Sequence, residues 1–240
     1  MPHKSKINDQ KTLSIVIPVF NEKNTISELL NLIDAVELPD IKKELIIIDD
    51  CSTDGTREIL KNIEHKHMII FKEKNEGKGA AVKEGFMKAA GDFIIIQDAD
   101  LEYSPSEYVN MIKPLIDKKC DVVYGSRFLS GKPHRALYFH HYIGNRCLTI
   151  LSNIFTNLNL SDMETCYKAF NRPALDKIKN KLTASRFGIE PEITALVAKN
   201  NLRIYEVGIS YFGRTYQEGK KIGWKDGVAA IWYILKSNLS

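Results

Sequence analysis

Cysteine is scarce: Cys51, Cys120, Cys147 and Cys166 are the only four, and no two form a C-x-x-C pair. That scatter argues against a zinc site or a disulfide framework and suits reduced thiols in a cytosolic protein. No stretch reaches the roughly 20 apolar residues that cross a bilayer. The longest candidate, Ala136 to Leu158, is interrupted by His140, His141, Asn145 and Arg146. Met1 to Lys11 is polar and lacks the apolar core of a signal peptide, so it is expected to be a flexible tail. Dense Lys/Arg runs with interleaved aromatics are missing, which argues against nucleic acid as a partner. The six histidines show no H-x-x-H or H-E-x-x-H spacing. No G-x-S-x-G or Cys/His arrangement points to covalent nucleophilic catalysis. Internal repeats and low-complexity linkers are also lacking.

What remains is an ordinary globular composition, 44% apolar and 27% charged over 240 residues, enough for one domain with a sizeable core. The net charge of +4 is compatible with an anionic substrate or a membrane surface. Short apolar runs alternate with helical spacing through the first half. Leu13 to Pro18 reads as a strand, with Pro18 at its end where a ladder donor can be spared. Thr25 to Val36 carries helical apolar spacing, and Leu45 to Ile48 is a second buried strand ending in Asp49-Asp50. Met68 to Phe71 leads into Asn75-Glu76-Gly77-Lys78-Gly79 and a helix over 80–90. Phe93 to Ile96, then Val122 to Tyr124, complete a strand–helix alternation that predicts a mostly parallel central sheet with helices on both faces. Beyond residue 130 come a basic loop, Gly131 to Arg135, and one long amphipathic helix over Leu137 to Leu158. Asp162 to Phe170 resembles a turn entering a strand, Ile189 to Lys199 a helix, Leu202 to Val207 an extended segment and Val228 to Leu239 a closing helix.

Three strand ends carry polar groups: Asn21-Glu22, Asp49-Asp50 and Asp98-Ala99-Asp100. In open α/β sheets the carboxyl ends of the strands face the ligand crevice. The one-residue spacing of Asp98 and Asp100 lets both approach one divalent cation if the chain bends there, and Mg²⁺ takes one or two carboxylates plus substrate phosphates. A strand end followed by a capped helix is the competing reading. The Asn75–Gly79 loop matches no Walker or dinucleotide fingerprint; it either turns backbone N–H groups toward an anion or simply starts a helix. The second half supplies Arg127, Arg146, Lys168, Arg214, Lys220 and Lys221, of which Arg127, directly after a strand, is best placed for phosphate.

Four segments in order, Ile15 to Glu22, Ile48 to Thr56, Asn75 to Gly79 and Gln97 to Leu101, resemble family 2 glycosyltransferases, nearest the polyprenyl-phosphate (dolichol-phosphate) mannosyl- and glucosyltransferase branch. The likeness is strong over residues 12–130 and looser through Gly125-Ser126-Arg127, Asp162 to Phe170 and Arg214 to Gly223. It implies a single-domain A-type glycosyltransferase fold, α/β in class, with a nucleotide-sugar-binding half over 12–130 and an acceptor half over 131–240. It also implies a nucleotide-sugar donor, UDP-glucose or GDP-mannose, and Mg²⁺ or Mn²⁺. Carried over by position, Pro18, Glu22 and Asp50 would hold base and ribose, with Lys78, Lys220 and Lys221 also on the donor. Asp98, Asp100 and Glu102 would meet the metal, although that branch usually has Gln at the last position. Asp100, Arg127 and Arg214 would be catalytic, and Arg127, Arg146 and Lys168 would meet the acceptor. A lipid-phosphate acceptor needs no general base, whereas a glycan hydroxyl would need Glu164 or Asp162. Rival readings are a soluble transferase acting on a glycan hydroxyl and a non-catalytic nucleotide-sugar-binding module. Many family members carry C-terminal membrane helices and this chain ends at Ser240 without one, so a lipid acceptor is expected to be reached by peripheral docking at the cytoplasmic membrane face through the 137–158 helix and the basic loop before it. The apolar face of that helix meets the membrane or a partner subunit, as in a homo-oligomer, or, as the competing and favoured reading, is buried against the sheet.

Overall fold

The structure is a computed structural model that describes residues 10–129, 135–136, 138–215, 217–218 and 224–239, with backbone alone at 224–225. A seven-stranded sheet forms its centre. The strands are β1 (Lys11–Val19), β2 (Ile41–Asp49), β3 (Met68–Phe71), β4 (Phe93–Ile96), β5 (Val122–Ser126), β6 (Lys168–Asn171) and β7 (Ile204–Gly208), in the order β3-β2-β1-β4-β6-β5-β7. All neighbours are parallel except β6, which runs antiparallel to both β4 and β5. Leu13, Ser14, Ile15, Val16 and Ile17 are each completely buried, so successive side chains on opposite faces of β1 are equally hidden. Such a strand is covered on both sides, as continuous apolar runs in parallel sheets require.

The helices are α1 (Ile26–Ala35), α2 (Thr56–Lys61), α3 (Lys78–Lys88), α4 (Tyr108–Ile116), α5 (Phe139–Thr156), α6 (Arg172–Ile178), α7 (Ile189–Lys199) and α8 (Trp224–Leu239). Helix α3 lies close on the sheet because Gly85 has no side chain: a Cβ there would stand 2.3 Å from Val16. Pro18 lies inside β1 rather than at its last residue, yet the expected reason for tolerating it holds. Even-numbered residues of β1 face β4, as the Gln97 N–H to Val16 carbonyl bond shows, and pairing with β4 stops at Val16. The missing donor therefore falls beyond the ladder.

Helix α5 is two residues shorter at each end than its apolar pattern predicts. Leu148, Leu151 and Leu158 pack on the core, but Ile143 and Ile154 are exposed, so the apolar face is split rather than wholly buried. Its neighbours are α7 and α8. No helix among the described residues is long and apolar enough to cross a membrane.

Candidate active site

Parallel β1, β2 and β4 end on the same edge of the sheet, which gathers Glu22, Asp50, Asp98 and Asp100. Because β6 runs backwards, it begins at that edge, and the 161–167 segment before it joins the acids. The forward strand β5 delivers Arg127 just past its end. One reversed strand thus brings the 161–167 segment against the acids that end the forward strands.

The Asp98-Ala99-Asp100 turn is held from below by Gln97, whose completely buried amide donates to the Asp98 and Tyr103 carbonyls at 2.9 and 3.2 Å. Its carbonyl accepts from Tyr108 and Tyr167 at 2.8 and 2.5 Å. Leu101 adopts φ +64°, so the chain does bend immediately after the acids. From there the two carboxylates take different partners. Asp98 accepts from Lys78 Nζ at 3.0 Å, and the same ammonium reaches Glu190 at 2.9 Å. Asp100 accepts from Arg214 at 3.2 Å, and that guanidinium also meets Glu22 at 3.2 Å. Burial, then the neighbouring charges of Asp98 and Glu102, push the Asp100 carboxyl up to about 7, against the opposing pull of Arg214.

Several expected roles change. Glu102 is occupied by the 211–214 strap: its carboxylate accepts from the Arg214 N–H and the Tyr211 hydroxyl, both at 2.8 Å. Among the described residues no group of three or more His, Cys, Asp or Glu is placed to hold a metal ion, so Asp98, Asp100 and Glu102 do not stand as a ready-made triad. The N–H groups of the glycine-rich loop do meet an anion, but it is Asp50, which accepts from Glu76 and Gly77 at 2.9 and 2.7 Å. With Lys72 at 3.3 Å as well, Asp50 is engaged in holding the loop before α3. Lys168 is fully buried beneath the Tyr124 ring, donating to the Met163 and Thr165 carbonyls, so it braces the turn before β6 and presents no surface for the expected acceptor contact. Pro18 is buried in the strand below this edge. Lys220 and Lys221, and Lys132 to His134 of the basic loop, lie outside the described residues.

On the acceptor side, Arg127 is gripped by Asp162, which accepts from the Arg127 backbone N–H at 3.0 Å and from Nε and Nη2 at 2.7 Å each. Its guanidinium lies 5.2 Å from the Tyr211 ring centre, so one tyrosine links Arg127 to Glu102. Arg146 of α5 donates to the Ser161 carbonyl at 3.3 Å, beside that pair. Asp162 is completely buried and both its oxygens are engaged, which leaves it unsuited to the base role. Glu190 and Tyr211 were not foreseen. Glu190 sits in the first turn of α7, where an acid looks like any helix-start charge, and nothing local to either residue marks it.

A mostly parallel α/β sheet with a D-x-D turn and converging cations at its carboxyl edge is the architecture of an A-type glycosyltransferase. The family model for glycosyl transferase family 2 matches residues 14–179, more than half of the chain, and the chain belongs to that family. It is 28% identical over 217 residues to a UDP-N-acetylglucosamine–dolichyl-phosphate N-acetylglucosaminyltransferase of Methanococcus voltae, covering 83% of this chain and 85% of the relative. It is 29% identical over 220 residues to the low-salt glycan biosynthesis hexosyltransferase Agl6 of Haloferax volcanii, covering 89% of this chain and 52% of that one. Its fold matches glucosyl-3-phosphoglycerate synthase of Mycobacterium tuberculosis, crystallised with Mn²⁺, UDP and glucosyl-3-phosphoglycerate, at a TM-score of 0.72, with 19% identity over 95% of this chain and 80% of that one.

Proposed function

We propose that this glycosyltransferase moves a hexose unit from a UDP-linked donor to a polyprenyl (dolichyl-type) phosphate. UDP-glucose and GDP-mannose both fit the sequence; the Methanococcus relative and the Mycobacterium structure tilt the choice of base toward UDP. The observation that carries the reading is the gathering of two cationic positions at one sheet edge: Arg214 spans Glu22 and Asp100, while Arg127 pairs with Asp162 and Arg146 meets the neighbouring Ser161 carbonyl. Two cationic positions, each tied to acids of that edge, suit two phosphate groups, the donor diphosphate and the acceptor phosphate.

The acid pair fits a divalent cation. Asp100 is pushed up to about 7 with Asp98 and Glu102 beside it, an excess of buried negative charge that a hard cation relieves. Asp98 and Asp100 would hold Mg²⁺ or Mn²⁺ together with diphosphate oxygens, and the bound ion would neutralise charge on the departing nucleotide. Arg214 contributes to the same stabilisation. Its Nε is buried and has no hydrogen-bond partner among the described residues, standing 3.7 Å from Glu102, so it is a donor for a diphosphate oxygen. Positioned charge of this kind commonly supplies the largest part of a rate enhancement.

Among the described residues, the two acids next to Arg127 that could serve as a base are both otherwise engaged, which supports an acceptor that is already an anion. Asp162 is committed to Arg127, and the Glu164 carboxyl is pushed up to about 8 by burial and by Glu190, so it carries its proton at neutral pH. An acceptor that arrives as an anion needs no base; a sugar hydroxyl does. The attacking phosphate oxygen would displace UDP in line and invert the anomeric carbon. Exposed apolar side chains on α5 and α8, among them Phe139, Ile150, Ile154, Trp232 and Leu239, support docking at the lipid surface where such an acceptor resides. The test is transfer of labelled hexose from UDP-hexose and GDP-mannose to a short polyprenyl phosphate. Label entering the organic phase from UDP-hexose is the expected result. Label appearing only in water-soluble glycan would favour the hydroxyl-acceptor reading instead.

A further inference from the structure

Three buried oxygen atoms with no hydrogen-bond partner among the described residues belong to the two segments that meet beside the D-x-D turn, the turn before β6 and the first turn of α7: Glu164 Oε1, Thr165 Oγ1 and Glu190 Oε2. Glu190 is 6% exposed and Thr165 not at all. Glu164 and Thr165 are adjacent in the turn before β6, and the Glu190 charge acts directly on the Glu164 carboxyl. The group is fixed to the catalytic edge by Lys78, which bridges Glu190 and Asp98 at 2.9 and 3.0 Å. Buried oxygens in native proteins almost always have partners, because an unpaired one forfeits the hydrogen bond that water gave it. Three on adjoining segments call for a ligand that brings hydroxyl or amide donors.

Charge decides which part of the substrate that is. A diphosphate or an acceptor phosphate would meet carboxyl oxygens and be repelled, and both have cations elsewhere in the site. A neutral polyol has no such conflict. We infer that Glu190, Glu164 and Thr165 form the subsite that grips the hydroxyl groups of the sugar being transferred, and so discriminate between donor sugars. Lys78 holds the first oxygen of Glu190, which turns the second toward the sugar. This assignment rests on the nucleotide-sugar reading above and deepens it.

Calorimetry of the full chain in Mn²⁺ buffer with UDP, UDP-glucose and UDP-N-acetylglucosamine tests it on the wild type, Glu190→Gln, Glu164→Gln and Thr165→Val. The valine is nearly isosteric and removes a hydroxyl that no described residue uses, so a binding defect there cannot come from a lost internal contact. UDP contacts the base, ribose and diphosphate sites alone and reports whether the fold survives. The expected result is UDP affinity within about twofold of wild type in each variant. The affinity of the preferred sugar nucleotide should fall roughly tenfold in Glu190→Gln, about what one charged hydrogen bond contributes, and less in Thr165→Val. Sugar-nucleotide affinities that stay at wild-type values in all three variants, or fall only in step with UDP, would overturn the subsite. Wild-type protein that bound none of the three nucleotides would instead overturn the reading on which it rests.

Discussion

Lys168 buries its ammonium completely and satisfies it with two main-chain carbonyls under an aromatic face, an arrangement in which removing the charge strands the carbonyls. Lys168→Met should cost about 1–3 kcal/mol for acceptors left unpaired, which in a chain of this size lowers the melting temperature by several degrees. If Lys168 is a brace, the acceptor KM of the folded variant stays near wild type; a large rise in that KM at unchanged stability would restore the acceptor role. Asp100 belongs to the opposite class, because its partners are other site residues. Asp100→Asn and Asp98→Asn are each expected to reduce turnover by two orders of magnitude or more, the scale on which loss of a single electrostatic stabiliser is felt. Both acids were legible in the sequence because they end an apolar run. Glu190, which is joined to them through Lys78, was not: its partner is 112 residues away, and only folding brings the two together.

Among the elements, the most consequential one is the reversed strand β6. Nothing in Lys168 to Asn171 encodes direction, since a four-residue strand pairs either way and its orientation is set by the connections around it. Helix α7, by contrast, spans the same residues, Ile189–Lys199, that its periodicity predicts. Asp121, just before β5, clips three strands: it accepts from the Asn171 side chain and from the backbone N–H and guanidinium of Arg203. Those bonds hold its carboxyl down at about 2, below the ordinary 3.8. The contribution is therefore present above pH 4 and is lost as pH falls through 2. A melting series should show wild type losing stability more steeply than Asp121→Asn between pH 4 and pH 2, with a small amplitude because Arg203 is largely exposed. Parallel acid limbs would contradict this. The loop before α3 is equally specific. Gly77 has φ +95°, and a Cβ there would lie 2.5 Å from the Ser185 carbonyl oxygen. Gly77→Ala should displace the N–H pair that grips Asp50, weakening nucleotide binding as well as stability.

For the whole molecule, the sheet and its acid-lined edge were readable because local apolar runs and the acids that end them coincide. The surface was not: the same apolar spacing that marks α5 as amphipathic serves burial and exposure alike, and the fold uses it for both. Leu148 and Leu151 turn inward while Phe139, Ile150 and Ile154, with Trp232 of α8, remain outside. Liposome flotation at low salt should carry the protein upward with anionic vesicles, and Ile154→Asp with Trp232→Asp should leave it at the bottom. Failure of the wild type to float would remove the lipid-docking part of the proposal without touching the donor site. The central claim concerns that donor site, and calorimetric titration of UDP and GDP with and without Mn²⁺ addresses it most directly. Binding of UDP that requires Mn²⁺ and disappears in Asp100→Asn is the result this account predicts. Nucleotide binding indifferent to both the metal and Asp100, or no binding of either nucleotide, would contradict it.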